Sequence, residues 1–209
     1  MKSTVDWNIA ELVGILVKPF EFAEKNMKNT IYTGVLATIR DSGKADEIPL
    51  AIDEKLLETL DDSSLEGKWV SIKGYVYGRT INTKMRTGVY VEEISVVEEN
   101  SHFRNFIKVS GEIASEIKLR NNEIVVADFI LASTTRGETQ YIPVIAWAHQ
   151  AYAVKNMFKP HSPLRIKGRF QSRTFHKFYP DGKEKYRRKV FEVSIRKFKP
   201  GRPLLEKEN

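Results

Sequence analysis

The chain contains no cysteine, so it can form neither disulfide bonds nor thiolate metal sites, and a reducing compartment is favoured. Long apolar runs are also missing. The strongest candidate, residues 9–17, is interrupted by Glu11 and Gly14, which predicts neither a signal peptide nor a membrane span. We therefore expect a cytoplasmic protein without a membrane partner.

Catalytic and metal-binding patterns are equally scarce. The four histidines (102, 149, 161 and 176) are scattered without metal-ligand spacing. The short polar segments 42–44 and 61–64 lack the glycine and Gly-Lys-Ser/Thr spacing of a phosphate loop. The sequence therefore predicts no enzyme, no catalytic residue, no metal site and no cofactor.

Charge is divided unevenly along the 209 residues, a length that suits two domains. Residues 1–100 hold 12 Lys and Arg against 17 Asp and Glu, a balance of −5, whereas residues 101–209 hold 22 against 10, a balance of +12. A hydrophobic share of 41% is sufficient for two small cores. A polyanionic partner such as nucleic acid is therefore expected to meet the second half.

An internal repeat accounts for this division. Residues 70–80 (VSIKGYVYGRT) recur 94 positions later as residues 164–174 (LRIKGRFQSRT), with the apolar positions, the Lys-Gly pair and the Arg-Thr pair retained. A repeat of this length indicates two copies of one domain. Positions that differ between the copies then point to function.

Each copy has the element order of an OB-fold. Three strand patterns of period two are followed by a stretch of period 3.6 and then by two further strands, with Ile52, Leu56 and Leu60 on one helical face in the first copy. We predict an all-β protein of two tandem five-stranded Greek-key barrels with one short helix each. The predicted limits are 1–98 for the acidic domain 1, 99–102 for a linker, 103–199 for the basic domain 2, and 200–209 for a flexible tail.

The fourth strand differs most between the copies. Because side chains alternate across a strand, the face pointing away from the core in the second copy carries Arg165, Lys167, Arg169, Gln171, Arg173 and Phe175. Four cations and an aromatic ring predict a surface that pairs phosphates and stacks a base. The corresponding face of the first copy keeps only Lys73 and Arg79 as cations.

The hairpin after this strand is longer and more basic in the second copy. It surrounds an Asp181-Gly182 turn signal. Its candidate nucleic-acid contacts are Lys177, Lys183, Lys185, Arg187 and Arg188. Beside the basic strand, such a hairpin is expected to close over a bound strand.

Residues 103–198 resemble the bacterial single-stranded DNA-binding protein (SSB) family. The resemblance is carried by segments 126–132 (VADFILA), 139–147 (TQYIPVIAW) and 167–175 (KGRFQSRTF) in their order and spacing. It implies a non-catalytic binder of single-stranded DNA that acts in replication, recombination or repair and is found with the nucleoid. It also implies that bases stack on Tyr141, Trp147 and Phe175, with Arg173 as the basic residue at the base of the hairpin.

The first copy resembles that family only in its scaffold. At the repeat offset, Glu47, Asp53 and Ile81 replace the three aromatics, and carboxylates repel a phosphodiester chain. Domain 1 is therefore predicted to have a degenerate DNA site and to serve as a structural or partner-binding domain. Three roles stay open for Trp69, Tyr75 and Tyr77: stacking on bases, forming an interface, or packing against a loop.

Two departures from the SSB pattern leave an alternative open. The final residues lack the acidic tail with a hydrophobic tip that many SSB proteins carry, and two OB-folds occur in one chain. A protein similar to the primosomal protein PriB is the alternative. Residues 1–98 would then contact helicase or replication-restart proteins. RNA as a second ligand, and a monomer or a homodimer as the assembly, are also left open.

Overall fold

The computed structural model describes residues 7–25, 29–60, 65–81, 84–121, 123–178 and 184–201, except for the side chains of 80, 81, 84, 175–178 and 184–188. Domain 1 comprises β1 (Asn8–Lys25), β2 (Thr30–Ile39), β3 (Ala45–Asp53), α1 (Glu54–Leu57), β4 (Trp69–Ile81) and β5 (Lys84–Val96). Domain 2 comprises β6 (Arg104–Ile113), β7 (Lys118–Asn121), β8 (Val125–Thr135), β9 (Glu138–Trp147), α2 (His149–Met157), β10 (Pro163–Phe178) and β11 (Glu184–Pro200). The all-β fold with one short helix per domain is confirmed.

Domain 2 has one strand more than expected, because its first strand is interrupted. In domain 1, β1 pairs with β4 through its first half and with β2 through its second half, as far as Lys25 opposite Thr30. In domain 2, β6 pairs with β10, and the short β7 pairs with β8. Thus β7 stands where the second half of β1 stands, and both copies retain the five-stranded OB-fold.

Alternation along the strands builds the two cores. Val70, Ile72 and Val76 on β4 are buried, as are Leu164 and Ile166 on β10. Arg165 and Lys167, on the other face of β10, are more exposed. Each barrel is closed by a parallel pair, β3 with β5 and β9 with β11. The alternation of buried and exposed residues follows from the period of two that the sequence shows.

The recurring Lys-Gly pair stands at a β-bulge in each barrel. Pairing shifts register between Lys73 and Gly74 on β4, and between Lys167 and Gly168 on β10. A Cβ on Gly74 would lie 1.9 Å from a carbonyl oxygen of β5, and one on Gly168 would lie 2.1 Å from a carbonyl oxygen of β11. Glycine is retained in both copies because any side chain would collide with the neighbouring strand.

A single sheet joins the two domains. Strand β1 pairs antiparallel with β6, with Ala10 opposite Ile107, and the resulting eleven-stranded sheet has the order β2-β3-β5-β4-β1-β6-β10-β11-β9-β8-β7. Corresponding hydrogen bonds cross between the domains: Gly78 N–H donates to Gln140 at 3.2 Å, and Ser172 N–H donates to Asp46 at 3.0 Å. The two copies are therefore arranged about an approximate two-fold axis.

The domain limits stay a prediction, and the structure adds detail to their ends. Strands β5 and β6 are separated by residues 97–103, where Phe103 packs on Trp69 with ring centroids 4.5 Å apart. Strand β11 extends to Pro200, and Gly201 N–H donates to the Pro163 carbonyl at 2.7 Å. The first two residues of the predicted tail thus have defined positions, and 202–209 lie outside the described residues.

Candidate nucleic-acid interface

Domain 2 has an open cavity of about 500 Å³ at the end of its barrel. Trp147, the last residue of β9, lines it and pairs with Val126 of β8. The other lining residues are Arg120, Glu123, Ile124, Val126, Ile145 and Arg173. The indole Nε1 of Trp147 is buried and has no hydrogen-bond partner among the described residues. A half-buried aromatic ring beside two guanidinium groups suits a nucleobase.

Both arginines of this cavity are paired with carboxylates. Arg173 Nε donates to Glu192 at 2.7 Å, and Arg120 Nε lies 2.6 Å from Asp128 Oδ2. Burial raises the pKa of Asp128, although the charge of Arg120 acts in the opposite direction. Each guanidinium has five donors, so these pairs orient the arginines and leave further N–H groups for a phosphate.

Tyr141 lies away from this cavity. It precedes Trp147 by six residues on β9, which places the two roughly 20 Å apart along the strand. Its side chain is 49% exposed, and its backbone carbonyl lies against Gly78 of domain 1. Tyr141 is therefore an exposed aromatic at the junction of the domains, on the same strand as Trp147.

Arg169 lies in the junction as well. Its side chain is half-buried, and Nη2 donates to Gln171 at 3.3 Å. Burial lowers the pKa of Arg169, and the positive charge of Arg40 from domain 1 lowers it further. Gln171 is buried and donates to Glu192 at 2.9 Å. The centre of the predicted basic row is thus enclosed between the domains.

Arg165 and Lys167 belong to a separate cavity of about 230 Å³. The ring of Trp7 lies at its centre, with Lys108 Nζ 3.6 Å and Arg165 Cζ 4.7 Å from the ring centroid. Its lining residues are Trp7, Lys108, Arg165, Ile166, Lys167, Lys197, Phe198 and Lys199. None of these residues lines the Trp147 cavity.

The predicted basic row on β10 is therefore distributed over three environments. Arg165 and Lys167 lie beside Trp7, Arg169 lies between the domains, and Arg173 lies beside Trp147. The residues alternate as expected, but a 16-residue strand coils around the barrel, so one face of it does not point in one direction. The structure does not unite these four cations in one surface.

The hairpin between β10 and β11 is described only in part. Lys183 lies outside the described residues. Five other predicted contacts have their backbones in β10 and β11, but their side chains are outside the described part: Phe175, Lys177, Lys185, Arg187 and Arg188. Their proposed contacts with nucleic acid stay a prediction.

Domain 1 has a cavity of about 350 Å³ at the corresponding place. Strand pairing matches its lining residues Ile31, Ala51 and Arg79 with Val126, Ile145 and Arg173 of domain 2. The remaining lining differs, because aromatic rings pack into this cavity. Tyr75 stacks on Tyr90 at 5.2 Å, Tyr77 lines the same wall, and burial raises the pKa of both Tyr75 and Tyr77 to about 12.

Residues of domain 2 reach this cavity from the turn between β8 and β9. Arg136 and Gly137 have φ values of 53° and 80°, as a tight hairpin turn requires. Arg136 pairs with Glu92 at 2.6 Å, and Glu138 pairs with Arg79 at 2.8 Å. Carboxylates thus neutralise two of the three described arginines that line this cavity, Arg79 and Arg136 but not Arg86.

The carboxylates that replace aromatics in domain 1 have structural partners. Asp53 accepts a hydrogen bond from Lys55 N–H at the start of α1, and Glu47 pairs with Lys189 of domain 2 at 2.6 Å. Trp69 packs on the interdomain segment, and Tyr75 is 8% exposed. Two of the three aromatics with open roles are therefore engaged within the protein.

Five residues that line the two cavities of domain 2 were not predicted from the sequence, namely Trp7, Lys108, Arg120, Lys197 and Lys199. The alternation Lys197-Phe198-Lys199 was a usable signal for one face of a strand. Pairing these lysines with Arg165 and Lys167 requires the register of β10 and β11, which the bulge shifts. Trp7 could not be placed, because it is held by Ser110, 103 residues away.

The described ranges contain neither a metal site nor a membrane-spanning helix. No three His, Asp or Glu side chains there come close enough to hold a metal ion. No helix there has the length and the apolar run that crossing a membrane requires.

Comparison with known proteins gives likeness of fold. No protein-family model and no curated protein matches the sequence. The wild-type single-stranded DNA binding protein from Thermus aquaticus superposes with a TM-score of 0.75 at 17% identity, over 99% of this chain and 98% of that one. A deletion mutant of the same protein gives 0.72 at 18%, over 98% and 99%. These values establish a shared fold along the whole chain.

The N-terminal domain of PriB from Thermoanaerobacter tencongensis, described as dimeric, is 29% identical over 44% of this chain and 98% of its own. Its TM-score is 0.39, too low to support an argument.

Proposed function

We propose that this protein is a non-catalytic single-stranded DNA-binding protein. The Trp147 cavity, which we call the groove of domain 2, holds the bases. The observation that carries the proposal is the Trp147 cavity, where a half-buried indole lies beside Arg120 and Arg173. The shared fold with the Thermus aquaticus protein, whose described ligand is single-stranded DNA, supports it along the whole chain. In this proposal the protein acts in replication, recombination or repair and is found with the nucleoid.

Stacking supplies most of the groove's own affinity. Because Arg120 and Arg173 are already paired with carboxylates, a phosphate gains less from them than from free cations. A base stacked on Trp147 contributes roughly 1–3 kcal/mol. We expect the cations of segment 177–189, which follows Arg173 in the sequence, to add to this affinity. Domain 1 offers packed tyrosines, and two of the three arginines of its cavity are neutralised, so we expect it to bind weakly.

The test is a titration of the full chain with oligo-dT at several salt concentrations. Trp147→Ala is expected to weaken binding by roughly 1–3 kcal/mol, whereas Trp147→Phe retains most of the affinity because its ring still stacks. If about five phosphates are paired, log K falls with log salt at a slope near −3 to −4. Duplex DNA and RNA as competitors define the ligand class. Absence of oligo-dT binding by the wild type, or equal affinity for Trp147→Ala, would refute the proposal.

A further inference from the structure

Five cations on the sheet of domain 2 form a surface that we name the cationic ladder: Lys108, Arg165, Lys167, Lys197 and Lys199. Lys167 of β10 stands directly opposite Lys108 on β6 and opposite Lys197 on β11. In the next row, Arg165 stands opposite Lys199. All five line the cavity around Trp7, and none of them forms an ion pair with a described carboxylate.

The same positions in domain 1 are compensated. Glu11 stands opposite Lys73, which stands opposite Glu93, and Lys73 Nζ pairs with Glu93 at 2.7 Å. The positions of Arg165 and Lys199 are taken by Ser71 and Ser95, which are also paired. On one scaffold, a Glu-Lys-Glu row has thus become a Lys-Lys-Lys row.

This difference is not required by the barrel, since domain 1 forms the same bulge with opposite charges. Like charges directly across a sheet destabilise it. Five uncompensated cations in two neighbouring rows are therefore best explained by an anionic partner that is absent from the fold itself. Among the described residues, Arg120 and Arg173 of the groove are already paired, whereas the ladder cations form no ion pair.

The chemistry favours a phosphate backbone over an acidic peptide. Peptide partners are usually anchored by apolar or aromatic side chains in pockets. Here the Trp7 ring is already covered by cations, Ile166 is buried, and Phe198 packs on Phe158 with ring centroids 5.9 Å apart. The ladder and the groove share strand β10, since Lys167 and Arg173 are six residues, or roughly 20 Å, apart along it.

We propose that the cationic ladder is a second contact for the phosphate backbone of the bound single strand, separate from the Trp147 groove. This inference rests on the proposed function. A short strand occupies the groove alone, whereas a longer strand passes outside the enclosed residues Arg169 and Gln171 and exchanges its counterions for the ladder cations. The ladder contributes a salt-dependent, sequence-independent part of the affinity.

The decisive variant replaces β11 of the ladder with the domain 1 residues, Lys197→Glu with Lys199→Ser. It leaves Trp7 and both cations over its ring unchanged. The matched control, Lys44→Glu with Lys55→Ser, makes the same charge change at exposed positions of domain 1. Each full-length protein is titrated with oligo-dT of about 8 and about 30 nucleotides, on the basis that one OB-fold binds roughly 4–16.

We expect the ladder variant to bind the long oligonucleotide at least about tenfold more weakly at low salt, with a salt slope smaller by about 1.4, or 0.7 per lysine. Its affinity for the short oligonucleotide should change less than about twofold. Its unfolding temperature should rise by about 1–3 °C, because Lys167 gains the partner that Lys73 has. A damaged fold would lower that temperature. The control should match the wild type in all three measurements.

Unchanged affinity and slope with the long oligonucleotide, while Trp147→Ala still weakens binding, would overturn the ladder and leave the proposed function standing. Failure of the wild type to bind either oligonucleotide would remove both. Binding of poly-glutamate that the ladder variant loses, together with unchanged oligo-dT binding, would assign the surface to a protein partner and also overturn the inference.

Discussion

Domains 1 and 2 use one barrel to present two different surfaces. Their cores, their bulge glycines and the hydrogen bonds across their junction correspond in position. Their surfaces differ at the groove, which is the Trp147 cavity in domain 2 and the cavity lined by Tyr75 and Tyr77 in domain 1. They also differ in the charged rows on the sheet around Lys73 and Lys167. Domain 1 pairs Lys73 on its sheet and two of the three arginines of its cavity, whereas domain 2 leaves the sheet uncompensated. Features that both copies share are required by the fold. We therefore assign the cations that only domain 2 carries to the binding of a partner.

The grooves differ in how their space is used. In domain 1 the rings of Tyr75, Tyr77 and Tyr90 occupy one wall, and the turn carrying Arg136 covers another. In domain 2 the indole of Trp147 borders open space. Tyr75 is buried against Tyr90 and presents little ring surface to a base, whereas a ring at the edge of an open cavity can receive one.

The largest expected effect tests whether the domains are one folding unit. Gly168→Ala places a Cβ 2.1 Å from the Ser194 oxygen, and Gly74→Ala places one 1.9 Å from the Tyr90 oxygen. Each should destabilise the protein by about 3 kcal/mol or more. Because β1 and β6 join the barrels, both variants should lower one common unfolding transition in calorimetry, with Ser95→Ala as a neutral control. Two separate transitions would show that the domains unfold independently.

A second comparison concerns alkaline pH. Burial raises the pKa of Tyr75 and of Tyr77 to about 12, above the ordinary value of 10. The folded state therefore holds these protons more tightly, so stability is complete below pH 10 and falls as pH rises toward 12. The loss is roughly 2–3 kcal/mol for each tyrosine. Urea unfolding between pH 8 and about 12 measures it. The double variant Tyr75→Phe with Tyr77→Phe should flatten that dependence, and an unchanged slope would contradict its assignment to domain 1.

The smallest effect concerns the carboxylate that domain 2 places at the groove of domain 1. Glu138→Gln removes the exposed ion pair with Arg79 and should change stability by less than about 1 kcal/mol. It should raise affinity for oligo-dT by about two- to fivefold at low salt, because a repelling charge is lost and a cation is freed. Glu98→Gln, an exposed residue between the domains, is the control. Equal affinities at every salt concentration would show that this groove does not meet the strand.

The fold was predictable because its signals are local and occur twice. Alternation in 70–80 and 164–174 marked the fourth strands, and the repeat supplied the domain count. The helices were harder: the pattern of Ile52, Leu56 and Leu60 indicated a longer helix than Glu54–Leu57. The interruption of the first strand at residues 114–117 left no clear signal, since its two halves, β6 and β7, both read as extended chain.

The site was predictable only in part. Trp147 and Arg173 do line one cavity, and Arg165 and Lys167 do lie at a cationic surface. Their separation depends on the coiling of β10, which is a property of a closed barrel and not of a pattern of alternating residues. The residues around these cations come from other strands, and one of them, Trp7, comes from the other domain.

The sequence by itself determined which residues face inward, where the chain repeats, and which copy carries the positive charge. Those properties depend on neighbours one or two positions away and on simple counting. Only the tertiary structure decided which charges meet, because the register between β6, β10 and β11 and the joining of β1 to β6 bring together residues about 30 to 100 positions apart. The compensated row in domain 1 and the uncompensated row in domain 2 become comparable only through that register.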